Sequence, residues 1–225
     1  MTALSVTARC IGNEGEPVVI IENFATDPAG LRYHAARAEF AAADDYYPGL
    51  KTPVSPDYLE QQRRLLATVF DEVFGVTSNV AVLDVAYSLV TAAPTALTLE
   101  QRMPHVDALE PGRLALIHYL VPGGCDGTAF YRHRSTGFET IDAARSGRYF
   151  AQLKDDLTAL GEPPTGYLDG STPVFERIAH FEGRYNRALV YRGRTLHCGA
   201  IRDSNALLAD PVEGRLTITG FFASS

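Results

Sequence analysis

The stretch Arg215-Leu216-Thr217-Ile218-Thr219-Gly220-Phe221-Phe222 alternates polar and apolar residues over its first five positions and ends in two phenylalanines. Because residues i and i+2 of a β-strand point to the same side, the stretch predicts a strand with Arg215 and Thr217 on one face. A guanidinium beside a hydroxyl suits a carboxylate, since the guanidinium can donate two parallel hydrogen bonds. The stretch therefore predicts both a sheet element and an anion site.

The same reasoning applies to two segments that precede this strand. If His105-Val106-Asp107 is extended, His105 and Asp107 reach one ion while Val106 faces away. His197 follows the apolar run 188–191, as a ligand at the start of a new strand would. Two imidazoles and one carboxylate can occupy one face of a metal and leave the opposite positions open, as in 2-His-1-carboxylate iron(II) sites. The three side chains are therefore candidate metal ligands.

In this order the motifs make the sequence resemble the 2-oxoglutarate- and iron(II)-dependent dioxygenases, specifically their prolyl-hydroxylase-like branch. The resemblance implies that His105, Asp107 and His197 bind Fe(II), and that Arg215 and Thr217 hold the distal carboxylate of 2-oxoglutarate. The implied cofactors are Fe(II), the co-substrate 2-oxoglutarate and O2.

The resemblance also implies a reaction. The expected activity is hydroxylation of an unactivated C–H bond of a small molecule, amino acid or peptide side chain, with release of succinate and CO2. In halogenating relatives a small residue replaces the carboxylate ligand, so Asp107 favours hydroxylation. Two alternatives stay open. A cupin-like metal isomerase or hydrolase would bind a metal and ignore 2-oxoglutarate, and a non-catalytic jelly-roll binding domain would bind no metal.

Tyr119 is a further candidate for co-substrate binding. In the relatives a tyrosine on the strand after the H-x-D motif often hydrogen-bonds the co-substrate, and the alternative is a core tyrosine with its hydroxyl at the rim. His118 must face the opposite side of the strand, so we leave it out of the site.

The anchor arginine has a rival. Arg215 follows His197 by 18 positions, which is longer than expected for the family and indicates an inserted loop at 202–214. Arg202 lies nearer to His197, but Arg215 is preferred because its strand also carries Thr217 on the same face.

Substrate-side candidates follow the glycine-rich turn at 123–127, which resembles a turn of the same relatives. They are Tyr131, His133 and Arg134, and the alternative for them is a solvated strand face. Weaker candidates are Tyr46, Tyr47 and the turn Asn186-Arg187, which we interpret as a hairpin turn.

The overall composition is that of an ordinary globular protein, with 46% hydrophobic and 21% charged residues in a chain of 225. A net charge of −7 argues against nucleic acid as the partner. The amino terminus has no signal-peptide pattern, no run is long enough to span a membrane, and three scattered cysteines are typical of a reducing compartment. We therefore expect a cytoplasmic protein that acts on a small-molecule or peptide substrate. Relatives with this organisation are often homodimers.

The predicted fold is mainly β with flanking helices. The resemblance implies a double-stranded β-helix (a cupin-like jelly roll) with N-terminal helices packed on the major sheet, over about residues 79–224. We predict one domain, 1–225, with 1–78 as a helical N-terminal support and 79–225 as the jelly-roll core. Apolar periodicity and capping residues predict helices at 27–40, 55–75 and 142–160. Short β-prone runs predict strands at 17–21, 80–90, 113–121, 128–133, 174–181, 187–191, 195–201 and 215–222.

Overall fold

The computed structural model describes residues 3–43, 46–77, 80–202 and 207–224. Within these ranges there are eleven strands, three α-helices and two short 3-10 helices (Pro94–Ala96 and Glu100–Arg102). The first half contains β1 (Ser5–Ile11), β2 (Glu16–Glu22), α1 (Pro28–Ala35), β3 (Ala41–Ala42), β4 (Gly49–Pro53), α2 (Asp57–Phe74), β5 (Val80–Val90) and β6 (Arg113–Tyr119). The second half contains β7 (Cys125–His133), α3 (Ala143–Leu160), β8 (Phe175–Gly183), β9 (Arg187–Arg192), β10 (His197–Gly199) and β11 (Leu216–Ser224). Position 79, where the predicted core begins, and 203–206 of the predicted inserted loop lie outside the described residues.

The strands form two antiparallel sheets. The major sheet has eight strands in the order β1-β2-β9-β6-β11-β5-β4-β3, and the minor sheet has three in the order β10-β7-β8. A mainly β architecture with a few helices confirms the predicted class at that level.

The first third of the chain is less helical than predicted. Four of its elements, β1 to β4, are strands of the major sheet, so residues 1–78 are not a purely helical support. The strand β1 was missed although its residues alternate between polar and apolar; it lies at the sheet edge, where nearly every side chain is exposed. The strand β4 was missed because Gly49 and Pro53 at its ends suggest a loop.

The helices begin where the sequence predicts, within two residues. The Asp27 side chain accepts a hydrogen bond from the Gly30 amide at 2.8 Å and caps α1, which ends at Ala35 rather than near Phe40. The helix α2 ends at Gly75, whose φ of 68° is the left-handed conformation that glycine adopts without strain. No described helix is long and apolar enough to cross a membrane.

Three clusters of buried side chains hold the layers together. The first packs α2 against the major sheet and includes Tyr58, Leu66, Phe70, Leu116, Leu216 and Phe222. The second packs α3 against the minor sheet and includes Ala129, Tyr131, Tyr149, Leu153, Phe175 and Cys198. The third lies between the two sheets and includes Ile20, Ala115, Tyr119, Phe130, Leu189 and Tyr191. We call the side of each sheet that faces this third cluster its inner face.

His118 lies on the outer face of the major sheet, opposite Tyr119, as alternation predicts. Its side chain is fully buried, with Nδ1 3.1 Å from the Tyr58 hydroxyl and Nε2 3.0 Å from Asn186 Oδ1. The Asn186 amide also bonds both backbone groups of Ala25, so Asn186 joins two distant segments and is more than a hairpin turn. Burial lowers the pKa of His118 to about 4.

This histidine makes stability depend on pH. The folded state keeps His118 neutral down to about pH 4, whereas the unfolded state protonates it near its ordinary pKa of 6.5, so its contribution is present above 6.5 and is lost as the pH falls towards 4. The expected loss is about 3 kcal/mol of unfolding free energy. Urea unfolding of wild type and His118→Gln from pH 7.5 to 4 should show a smaller pH-dependent loss in the variant, and equal losses would contradict the assignment.

Candidate functional site

The backbone around His105 and His197 brings these two residues together. Each donates its amide to the carbonyl of the other, at 2.9 and 3.0 Å, in an isolated antiparallel bridge. Two residues on, the Asp107 amide donates to the Gly193 carbonyl at 2.7 Å. Residues 105–107 are therefore not a continuous strand, but the bridge holds them extended beside the start of β10.

The three predicted ligand side chains, which we call the metal group, converge. One ligand atom from each of His105, Asp107 and His197 lies within 4.8 Å of the others. Nε2 of His105 is 3.8 Å from one Asp107 carboxylate oxygen, and Nε2 of His197 is 3.6 Å from the other. Val106 packs instead into the cluster on the α3 side, so the predicted alternation is confirmed. The His105 side chain is 53% exposed and marks the open side of the group.

His197 is oriented by its own backbone. Its Nδ1 lies 2.8 Å from the Thr195 carbonyl, so Nδ1 carries the proton and Nε2 keeps its lone pair for a ligand. The Tyr191 ring packs against the imidazole with centroids 4.7 Å apart. Burial lowers the pKa of His197 to about 4, which keeps the ring neutral, the form that binds metals.

The buried carboxylate of Asp107 indicates whether a metal fits this group. Its Oδ2 is buried and has no hydrogen-bond donor among the described residues. Burial raises the pKa of the carboxyl to about 6, although His105 and the more distant Lys51 oppose that shift. A buried carboxylate oxygen without a donor is costly, and a cation between it and two neutral imidazoles would remove that cost. The donor set, two nitrogens and one oxygen, suits iron(II).

Arg215 lies on the inner face of the major sheet and is 3% exposed. Its Nη2 donates to the backbone carbonyls of Asp126 and Gly127 at 3.3 and 3.2 Å, while its buried Nε has no partner in the described ranges. No described carboxylate lies within ion-pair distance of it. A buried guanidinium without a counter-ion is unfavourable, so this site favours an anionic ligand.

The other two predicted co-substrate residues lie beside Arg215. Thr217 is buried and pairs with Tyr119 across β11 and β6, which places both on the inner face. The Tyr119 ring centroid is 5.8 Å from the guanidinium carbon, and its hydroxyl shares a 2.7 Å hydrogen bond with Thr128. Burial raises the pKa of Tyr119 to about 12, so the hydroxyl stays protonated at neutral pH.

Tyr47 joins the same group. Its buried hydroxyl lies close to Arg215 and beside the hydroxyls of Ser88 and Thr217. Burial raises its pKa to about 12, so the hydroxyl stays protonated at neutral pH and can donate a hydrogen bond. The sequence suggested Tyr47 only as a weak substrate-side candidate, since its loop position gave no sign of which strand it would approach. Its neighbour Tyr46 is 82% exposed.

The glycine-rich turn before β7 shapes this pocket. Gly123 and Gly124 have φ values of 84° and 87°, the positive values that the sequence predicted. At Gly127 a side chain is excluded, because a Cβ would lie 1.6 Å from the Phe181 carbonyl oxygen. The close approach leaves the Gly127 carbonyl directed at Arg215.

The substrate-side candidates lie elsewhere. Tyr131 and His133 are fully buried on the outer face of the minor sheet, which packs against α3, because they share the strand parity of Ala129 rather than that of Phe130. His133 pairs with Asp156 at 3.0 Å. Arg134 donates to the Thr172 carbonyl. The structure does not bring these three residues to the metal group, so we do not retain them as substrate residues.

The rival anchor Arg202 has a partner. Its Nε lies 2.7 Å from Asp169, and its side chain is 58% exposed. Arg202 and Arg215 both line a cleft of about 730 Å³, together with Cys125, Asp126 and His180. Of the two arginines, only Arg215 is both buried and without a described carboxylate partner.

The cysteines are free, as their scattered positions predict. Cys198 is buried in the cluster on the α3 side and so faces away from the metal group, although it adjoins His197.

Comparison with known proteins places the chain in a family. Residues 2–222 match the family of unknown function DUF6445. The chain belongs to this family. No curated protein matches it.

Solved structures share the fold of this DUF6445 chain at low identity. HygX from Streptomyces hygroscopicus with nickel and 2-oxoglutarate bound is 14% identical, with a TM-score of 0.53 over 92% of this chain and 83% of its own. HygX with iron bound is 12% identical, with a TM-score of 0.50 over 94% and 84%. The non-heme α-ketoglutarate-dependent epimerase SnoN from nogalamycin biosynthesis is 13% identical, with a TM-score of 0.49 over 93% and 78%.

Proposed function

We propose that this protein is an Fe(II)- and 2-oxoglutarate-dependent oxygenase that hydroxylates an unactivated C–H bond of a small molecule, amino acid or peptide side chain. The observation that carries the proposal is the combination of the His105, Asp107 and His197 group with the buried Arg215 guanidinium, which has no ion-pair partner among the described carboxylates. Each feature alone fits several functions. Together they provide a metal and an anion site within one pair of sheets.

The fold agrees with this proposal. HygX, whose fold the chain shares, has been solved with iron and with nickel and 2-oxoglutarate. In our proposal the two sheets are a double-stranded β-helix, which opens at the metal group, and His105, Asp107 and His197 hold iron on one side only. We assign the protein to the 2-oxoglutarate oxygenases as a whole rather than to their prolyl-hydroxylase-like branch.

The protein side chains have distinct tasks in this scheme. Iron, with 2-oxoglutarate and O2, would supply the oxidising chemistry: O2 is the oxidant, one of its oxygen atoms goes to the succinate that forms with CO2, and the other goes to the hydroxylated substrate. Arg215 neutralises the distal carboxylate of 2-oxoglutarate, and the hydroxyls of Tyr119 and Tyr47 beside it would donate neutral hydrogen bonds. The Thr217 hydroxyl donates to the Ser88 carbonyl at 3.3 Å and would turn from it to the carboxylate when the co-substrate binds. The buried pocket strengthens these interactions because water does not compete there.

Asp107 favours hydroxylation as the outcome. The carboxylate occupies the position that must be small to admit a halide, so halogenation is disfavoured. A metal isomerase or hydrolase would use the same three ligands, and Arg215 would then serve another anion. 2-Oxoglutarate meets both needs in one molecule, since one carboxylate can bind the metal while the other pairs with Arg215.

An anaerobic titration tests the proposal directly. Iron(II)-loaded protein should develop a weak visible metal-to-ligand charge-transfer band as 2-oxoglutarate is added, because a keto acid that chelates iron provides an acceptor orbital. The band should be absent when succinate, which has no keto group, replaces 2-oxoglutarate. Iron binding without a band would favour the isomerase or hydrolase alternative, and failure to bind any divalent metal would favour a binding domain.

A further inference from the structure

The chain has only two lysines among its 20 basic residues, Lys51 and Lys154. Lys154 lies on the exposed side of α3. Lys51 lies on β4 and pairs with Ser88, which in turn pairs with Thr217. Since paired residues of neighbouring strands share a face, Lys51 arises from the inner face of the major sheet, in the same row as Thr217 and Tyr119.

The Lys51 ammonium lies between aromatic rings. Its Nζ is 5.2 Å from the Tyr47 ring centroid and 5.8 Å from that of Phe221. The side chain is 25% exposed. Aromatic faces stabilise a cation without using its hydrogen-bond donors, so the ammonium is held in place with donors to spare.

The acidic partner of Lys51 is weak. The one described carboxylate within ion-pair distance is Asp84, at 3.5 Å, and its side chain is 50% exposed. Charge-assisted hydrogen bonds are usually about 2.7–2.9 Å long, and exposed ion pairs contribute little to stability. A better-placed carboxylate could therefore displace Asp84 at small cost.

Lys51 also reaches towards the metal side of the inner face. The Phe221 ring beside its ammonium belongs to a residue that pairs with Ala115, and Ala115 in turn pairs with Tyr191, whose ring packs on His197. The exposed His105 ligand marks the side from which a substrate can approach. A molecule that enters there meets the iron ligands with the Lys51 ammonium on the same inner face.

We propose that Lys51 binds a carboxylate of the primary substrate, so that the substrates are small carboxylic acids, free amino acids included. This inference rests on the proposed oxygenase function and adds the substrate class. A single ammonium matches one negative charge, whereas the distal carboxylate of 2-oxoglutarate has its own cation in Arg215. Tyr47 lies between the two cations and separates the co-substrate position from the substrate position.

Amine labelling with a panel of candidate acids tests this inference. The protein with iron and 2-oxoglutarate is incubated anaerobically with short carboxylic acids and free amino acids, each paired with its primary amide, and then acetylated. Mass spectrometry should show Lys51 protected by at least one acid and not by its amide, while Lys154 reacts equally throughout. The protecting acid should also stimulate succinate formation when O2 is admitted.

Variants sharpen the assignment. Lys51→Met should raise the half-saturating concentration of the protecting acid at least about tenfold, since one charge-assisted hydrogen bond is lost. The matched control, Lys154→Met, should leave it unchanged. The 2-oxoglutarate titration of the charge-transfer band should shift less than about twofold in either variant, because Arg215 is intact.

The outcomes separate the two proposals. If the band forms but no acid in the panel protects Lys51, or amides act as well as acids, or Lys51→Met binds the acid normally, the Lys51 inference is overturned and the oxygenase proposal stands. If wild-type protein gives no band, the oxygenase proposal itself fails, whatever happens at Lys51.

Discussion

Replacing His197 with alanine is expected to reduce iron-dependent 2-oxoglutarate turnover more than about 100-fold, because loss of residues that merely orient a metal ligand already costs about 10- to 100-fold. His197 carries one of the three ligand atoms, and its Nδ1 hydrogen bond to the Thr195 carbonyl directs Nε2 to the metal position. Iron(II) binding should weaken, and the charge-transfer band should be lost. Succinate formation and the anaerobic titration measure the two effects independently.

Two further variants distinguish a lost ligand from a damaged fold. His34→Ala removes an exposed histidine on α1 and should change neither readout. Asp107→Asn keeps the size of the side chain but removes its charge, so it should retain the circular dichroism spectrum and thermal transition of wild type while iron binding is weakened. If His197→Ala remains folded and turns over 2-oxoglutarate at the wild-type rate, the metal site lies elsewhere.

The metal group could be predicted from sequence because two of its three residues are close in the chain. His105 and Asp107 are two residues apart, so an extended backbone is enough to place them on one side, and only His197 requires tertiary structure. The inner-face position of Arg215 with Thr217 follows from the same alternation. Both predictions depend only on which residues of one extended segment point to the same side. They do not depend on how that segment pairs with other strands.

The substrate side could not be predicted in this way. Tyr131 and His133 alternate as expected, but which face of β7 carries α3 is decided by packing, and that choice buries both residues. The positions of Tyr47 and Lys51 depend on the pairing of β4 with β5. Glycine and proline at the ends of β4 make its sequence look like a loop. No local pattern therefore indicates that Lys51 lies on a strand or reaches the inner face.

Replacing Arg215 with methionine is expected to affect affinity and stability in opposite directions. The guanidinium can give the distal carboxylate two charge-assisted hydrogen bonds, each of about 1.5–3 kcal/mol, so the half-saturating 2-oxoglutarate concentration should rise about 100-fold or more. Without co-substrate the same guanidinium is buried with no described carboxylate partner, so the variant should unfold at equal or higher urea concentration than wild type. The anaerobic titration and urea unfolding measure the two effects.

Weaker 2-oxoglutarate binding together with unchanged or higher stability identifies a residue that binds the ligand but destabilises the ligand-free protein. If Arg215 were purely structural, its replacement would lower the stability of the protein. Replacement of a solvent-exposed arginine would change neither stability nor 2-oxoglutarate affinity. Arg202→Met is the matched control, since Arg202 is exposed and paired with Asp169, and it should leave the 2-oxoglutarate titration unchanged. Arg215→Lys keeps the charge without the two-pronged geometry and should fall between wild type and Arg215→Met. Should Arg202→Met weaken 2-oxoglutarate binding while Arg215→Met leaves it intact, the anchor would be Arg202, and the co-substrate would lie in the cleft rather than on the inner face of the major sheet.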